Sequence, residues 1–184
     1  MGKKVVNIVA KGRGWDNSPH EGEVWGVNDV ILRHDHLTRC FHMHDMDWIK
    51  MREEPSLKLI IEKANESNIP IMTLKKYDFI PTSVEYPLDE IVTKFRNCYF
   101  GSSIDYMAAY ALYLDFDVIN YYGVNMVISN EFSSQKPSQE FWMGMAMGMG
   151  KEVNIDAGQY SNVMKTFNQQ LYGYFIPQFK VGGN

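Results

Sequence analysis

The chain has 184 residues, 45% of them hydrophobic and 22% charged, enough apolar material to bury a core without disulfide or metal staples. Lys+Arg 18 against Asp+Glu 22 gives a formal charge of −4, and no segment carries the basic cluster that neutralises several phosphates of a polynucleotide, so nucleic acid is not an expected partner. No apolar run approaches about 20 residues, and the start Met1-Gly-Lys-Lys-Val-Val-Asn-Ile-Val-Ala10 is too short in apolar length for a signal peptide; a cytoplasmic protein without membrane contact is expected.

In chain order, Lys4-Val-Val-Asn-Ile-Val-Ala10 reads as a strand buried on both faces that leaves through the turn Lys11-Gly12-Arg13-Gly14. Glu23-Val-Trp-Gly-Val27 repeats the pattern and ends at Asn28. Thr38-Arg-Cys-Phe-His-Met43 repeats it again and ends at His44-Asp45. After Pro55, the residues Leu57, Ile60, Ile61 and Ala64 recur at helical spacing opposite Lys58, Glu62, Lys63 and Glu66, an amphipathic helix that covers a sheet. Asn68-Ile-Pro-Ile-Met-Thr73 returns as a strand. The stretch 75–87 contains Pro81 and Pro87 and reads as an exposed connection before a short helix, Leu88–Phe95.

Ser102 and Asp105 fit a capping box for a helix whose apolar face is Ile104, Met107, Ala108, Ala111 and Leu112. Tyr106, Tyr110 and Tyr113 make a second face, which predicts cover on two sides and, with it, a second subunit. A buried strand follows and ends at Gly123-Val-Asn125. Pro137 is placed at the start of a helix running through Gly148, Lys151-Glu-Val-Asn-Ile155 is a last strand, 159–170 a terminal helix, and 182–184 a frayed tail. Strand alternating with helix six times predicts one α/β domain over 1–184, a Rossmann-like doubly wound and mostly parallel sheet of about six strands with helices on both faces.

Ligands of such sheets bind beyond the C-terminal strand ends, which sorts the candidates by position. A glycine turn lets backbone N–H groups approach an anion, Lys11 or Arg13 adds charge, and the Gly101-Ser102-Ser103 helix start offers further donors and a favourable dipole. The turn is neither a P-loop nor a complete dinucleotide fingerprint. His34-Asp-His36 and His42-Met-His44 raise metal binding, since His42 and His44 share one strand face. A satisfied core or edge histidine at His42 and a solvated turn at His34–His36 account for the two motifs better, and no metal is assigned. His44 and Asp45, at a strand end, are the candidates for proton transfer. Trp15 is placed either on a base or as a plug of the core. Cys40 and Cys98 lack a partner at ligand or redox spacing and read as buried thiols.

The segments Ile8-Val-Ala-Lys-Gly-Arg-Gly-Trp15, Val24-Trp-Gly-Val-Asn28, Ser102-Ser-Ile-Asp-Tyr-Met-Ala-Ala109 and Tyr121-Tyr-Gly-Val-Asn125 together resemble the bacterial sialyltransferases that use CMP-sialic acid. They are also similar to hydroxymethylpterin diphosphokinase-like domains and to short phage and prophage versions of the fold. The resemblance implies a CMP-like nucleotide or nucleotide-sugar ligand, with Gly12, Asn28, Ser102 and Ser103 on its phosphate and ribose and Asn125 in place of a family Asp. Lys11, Arg13 and Gly14 stand where the family turn has Asn, Pro and Ser. The family's catalytic histidine follows the Gly-Ile-Asp motif, whereas no histidine here lies beyond His44; His44 or Asp45 is left to assist an acceptor. Two further readings are a catalytically silent binding or assembly module and a Mg²⁺-dependent diphosphokinase drawing on Asp16, Asp29, Asp45 or Asp105. A homo-oligomer is expected in each case.

Overall fold

A computed structural model describes residues 2–126, 130–156 and 161–165, with the backbone alone at 130–132. Seven parallel strands are hydrogen-bonded in the order β5-β4-β3-β2-β1-β6-β7. They are β1 Val5–Val9, β2 Val24–Val27, β3 Arg39–Phe41, β4 Ile71–Thr73, β5 Ser83–Glu85, β6 Val118–Tyr122 and β7 Glu152–Asp156. The helices are α1 Met46–Met51, α2 Pro55–Glu66, α3 Leu88–Phe95, α4 Ser103–Tyr113 and α5 Asn130–Gly148. Among the described residues, no helix is long and apolar enough to cross a membrane.

The central strands are buried on both sides because their residues are apolar at consecutive positions: Val6, Ile8, Val9, Val24, Trp25, Cys40 and Phe41 are all core. The chain winds outward from β1 to β5 and then returns to β6 on the other side of β1. The strand order therefore reverses between β1 and β6, the position at which open α/β sheets form a crevice.

Five expectations are corrected. The sheet has a seventh strand, β5, inside the stretch read as a connection; its three residues pair with β4 at the sheet edge, where Pro81 and Pro87 flank the ladder without interrupting it. Helix α5 begins at Asn130, so Pro137 lies inside it and not at its start; a proline there removes one intrahelical donor, which the neighbouring turns tolerate. Cys98 is exposed, whereas Cys40 is buried. The tyrosine face of α4 is covered by this same chain: Tyr106 meets Tyr86 and Phe100, and Tyr110 meets Trp25, Phe41 and Tyr86. The aromatic face is thus an intramolecular contact and no longer argues for a second subunit. Within 159–170, the described residues 161–165 form a turn and not a helix; the rest of that segment and the tail 182–184 lie outside the described residues.

Candidate functional site

The crevice at the strand-order reversal is built from three strand ends and one helix start. β1 and β6 leave the sheet side by side, tied by Ala10 N–H to Tyr122 O at 2.8 Å and Gly12 N–H to Gly123 O at 2.9 Å. A Cβ on Gly12 would stand 1.6 Å from Asn125 Oδ1 and 2.4 Å from Gly123 O, so the close approach of the two chains requires glycine there. Opposite them, β2 ends at Asn28, whose backbone takes the left-handed region at φ 51° and turns the chain away from the sheet.

The start of α4 closes the fourth side. Asp105, fully buried, accepts hydrogen bonds at Oδ2 from the Gly101 and Ser102 N–H groups at 2.7 and 2.8 Å and from Ser138 Oγ of α5 at 2.7 Å. Burial pushes its carboxyl up, and these donors pull it back only in part. Gly101, Ser102, Ser103 and Ile104 line the resulting cavity, of about 520 Å³, together with Lys11, Gly12, Asn28, His44, Asn125 and Gln135. A helix N-terminus and a glycine turn thus face one space, the arrangement that favours an anion. Among the described residues, Asn28 Oδ1 and Asn125 Oδ1 are buried there without a hydrogen-bond partner, and such oxygens cost stability unless a donor reaches them.

Charge is arranged around Asp29. Lys11 Nζ lies 2.8 Å from its Oδ1 and an Arg33 guanidinium nitrogen 2.7 Å from its Oδ2. Burial alone would raise the Asp29 carboxyl; the two cations outweigh it and hold the group below its ordinary value. Two cations on one carboxylate leave a net positive charge beside the cavity.

A second cavity of about 430 Å³ adjoins the first and shares Lys11, Asn28 and His44 with it. Asp29, His42, Asp45, Trp48, Glu54 and Ser56 also line it. Asp45 caps α1, its Oδ1 accepting from the Asp47 and Trp48 N–H groups at 3.0 and 3.4 Å. His42 sits one residue past β3 and is buried, with Nδ1 unpartnered among the described residues. Burial, then the neighbouring His44 and Lys11, push its pKa down to about 4.

That shift predicts an acid-labile fold. The His42 contribution is complete above the unfolded value of 6.5 and is lost as pH falls towards about 4, because only the unfolded chain takes up the proton in that window; the loss amounts to roughly 3 kcal/mol. Urea denaturation at pH 4.5, 5.5 and 7 should show this slope, and His42→Gln should flatten it by about one proton. An unchanged slope in the variant would assign the acid sensitivity elsewhere.

The structure brings Lys11, Gly12, Asn28, Ser102, Ser103, Asn125 and His44 to one cavity and places Asp45 in the adjoining one. Arg13 and Gly14 line neither: Arg13 offers its backbone carbonyl to Asn125 Nδ2 at 3.3 Å, and Gly14, at φ 85°, starts the 3-10 turn Trp15–Asn17. Trp15 packs against the core and near His34, the plugging role of the two considered. Sequence reasoning missed Gln135, which carries no motif and reaches the cavity only because α5 packs on α4. It also missed Trp48 and Glu54, which look like ordinary positions of a short helix and its neighbour.

No protein-family model matches this chain, and no curated protein sequence matches it. Solved structures do. The sialyltransferase CstII from Campylobacter jejuni in complex with the substrate analogue CMP-3FNeuAc superposes with a TM-score of 0.56 at 15% identity, over 87% of this chain and 85% of that one. CstII with cytidine-5'-monophosphate gives a TM-score of 0.54 at 15% identity, over 91% of this chain and 88% of that one. A sialyltransferase complex with trisaccharide acceptor and CMP gives 0.53 at 14% identity, over 91% and 89%. The protein therefore has a sialyltransferase-like, Rossmann-type α/β fold. These likenesses lend no support to the diphosphokinase or phage variants of the resemblance.

Proposed function

We propose that the chain binds a CMP-like nucleotide or nucleotide sugar in the first cavity and transfers its glycosyl group to a hydroxyl in the second. The observation that carries this reading is the crevice between β1 and β6, where the glycine turn, the start of α4 and the buried, unpartnered oxygens of Asn28 and Asn125 meet. The N–H groups of Ser103 and Ile104 at the α4 start would hold the phosphate, with Gly12, whose own N–H is given to Gly123 O, leaving the room for it, and the two asparagine oxygens would accept from ribose hydroxyls or a base amine. The second cavity carries Asp45 and Glu54 beside a half-exposed Trp48, with Asp29 already neutralised by its two cations. That lining disfavours a second phosphate and suits an uncharged, hydroxyl-bearing acceptor.

His44 stands where the cavities join. In the transfer, the bond from the anomeric carbon to the phosphate oxygen breaks, with the electron pair leaving on phosphate. The acceptor oxygen bonds to that carbon, and its proton passes to His44. The net positive charge that Lys11 and Arg33 leave around Asp29 favours the departing phosphate. Asp29 is taken up by two cations and Asp105 by three donors, so this reading assigns Mg²⁺ to neither of them.

Calorimetric titration with CMP, UDP, GDP, ATP and the corresponding nucleotide sugars tests the reading. CMP or its sugar should saturate the protein below about millimolar concentration, with thermal stabilisation to match. Ser103→Trp should weaken that binding at least tenfold by filling the cavity, while stability changes little. No saturable binding by any nucleotide would end the proposal. One observation favours a second reading, a binding module without turnover: no histidine follows β6. Nucleotide binding that His44→Ala leaves intact, with no glycosyl transfer or donor hydrolysis in the wild type, would select it.

A further inference from the structure

The tract His34-Asp35-His36 plays no part in the reading above, yet the fold brings a third histidine onto it. The connection before β2 lays the His20 ring over that of His34, with centroids 4.7 Å apart and planes inclined by 20°, and His20 Nδ1 meets Asp35 Oδ1. We propose that His20, His34 and Asp35 bind a divalent transition metal of the zinc class, tying the β1–β2 connection to the β2–β3 connection.

One ligand atom from each of the three lies within 4.8 Å of the others, and among the described residues no other group of three or more His, Cys, Asp or Glu does so. Two imidazoles and a carboxylate, with water as the fourth ligand, are a familiar donor set for zinc. Tetrahedral bonds of about 2.0–2.1 Å put ligand atoms about 3.3 Å apart, so the longest separation has to close by no more than about 1.5 Å, while the His20–Asp35 pair opens and the His20 ring tilts off His34 to bring its lone pair, which lies in the ring plane, onto the ion. The side chains of His20 and Asp35 are 57% and 78% exposed and can make that movement.

His34 is the fixed member. It is buried, and Ser18 Oγ donates to Trp15 O at 2.6 Å, so at 2.9 Å it accepts from His34 Nε2–H. The proton therefore sits on Nε2 and the lone pair on Nδ1, which meets only the His36 N–H, at 3.1 Å. A metal-binding histidine is commonly oriented by such a bond on its far nitrogen. On binding, the ion takes the place of the His36 N–H at Nδ1. None of the three residues lines either cavity, so the ion would be structural and independent of nucleotide binding.

The test uses tag-free, chelator-stripped full chain carrying Cys98→Ser, which removes the exposed thiol as a competing ligand. Titration with Zn²⁺ by calorimetry and with Co²⁺ by visible absorption should show one ion per chain, and Zn²⁺ should raise the Tm by several degrees. His20→Ala and Asp35→Asn, both at exposed side chains, should each weaken binding at least tenfold and leave the metal-free Tm almost unchanged. His44→Ala should bind as the parent does. No stoichiometric uptake by the parent, undiminished uptake by His20→Ala, or loss of uptake in His44→Ala would each overturn the assignment.

Discussion

Alanine at Gly123 or at Gly12 is expected to destabilise the protein by about 3 kcal/mol and to abolish nucleotide binding in whatever fraction stays folded. Gly123 takes φ 66°, and a Cβ there would lie 2.7 Å from Ala10 O and 2.8 Å from Gly12 O. Both obstacles are backbone of the neighbouring strand exit, so no side-chain rotation relieves them. The left-handed backbone adds its own penalty of about 1–2 kcal/mol for a non-glycine residue. At Gly12 the nearest obstacle is the Asn125 amide, which can move, but Gly123 O at 2.4 Å cannot. The two exits would be pried apart, and their separation sets the mouth of the cavity. Urea denaturation gives the stability change, and titration with CMP gives the binding. Either variant with wild-type stability would show that β1 and β6 do not leave the sheet in this close pairing. Against a typical total of about 5–15 kcal/mol, the expected loss is large enough that expression at reduced temperature is advisable.

These glycines also show which parts of the fold could be read from the chain. Gly12 announces a turn because it follows the apolar run Val5–Val9, and runs of that kind locate buried parallel strands well. The capping box of α4 was legible for the same local reason: Ser102 and Asp105 stand at the required spacing before an apolar face. Legibility fails where the deciding contact is distant in sequence. β5 has only three residues and no apolar run, and it exists because β4 offers an open edge. Pro137 looks like a helix start by local preference, while tertiary contacts carry α5 one and a half turns or more further back. The tyrosine face of α4 seemed to require another subunit only because Trp25, Phe41 and Tyr86 cannot be placed opposite it without the strand order. The candidate site divides in the same way. Residues at strand ends were found by position, whereas Gln135, Trp48 and Glu54 reach the cavities through packing between helices, loops and the sheet that no motif encodes.

Asp105→Ala is expected to be comparably damaging, at about 3 kcal/mol, since it takes the shared acceptor from two part-buried N–H groups and leaves Ser138 Oγ only Gln135 O. The carboxylate is the common acceptor for the Gly101 and Ser102 N–H groups and for Ser138 Oγ. It thereby fixes the start of α4, the segment before it and the middle of α5. The conservative Asp105→Asn separates charge from geometry. Its amide oxygen can still accept from one or two of the donors, while its NH₂ must face a third, so a smaller loss of about 1–2 kcal/mol is expected. The ionised carboxyl is itself costly in this buried position, as its raised pKa records. Removing the charge therefore returns part of what the lost acceptor costs, and the Asn variant should gain relative to wild type as pH rises through the Asp105 titration. Since Gly101, Ser102 and Ser103 line the cavity, loosening their anchor should also weaken CMP binding in both variants, more in Ala than in Asn. Denaturation curves at several pH values, with CMP titration on the same preparations, measure both effects. Equal stability of Asp105→Ala and wild type would mean that α4 keeps its N-terminus in place by packing alone, and that the cavity wall does not depend on this carboxylate.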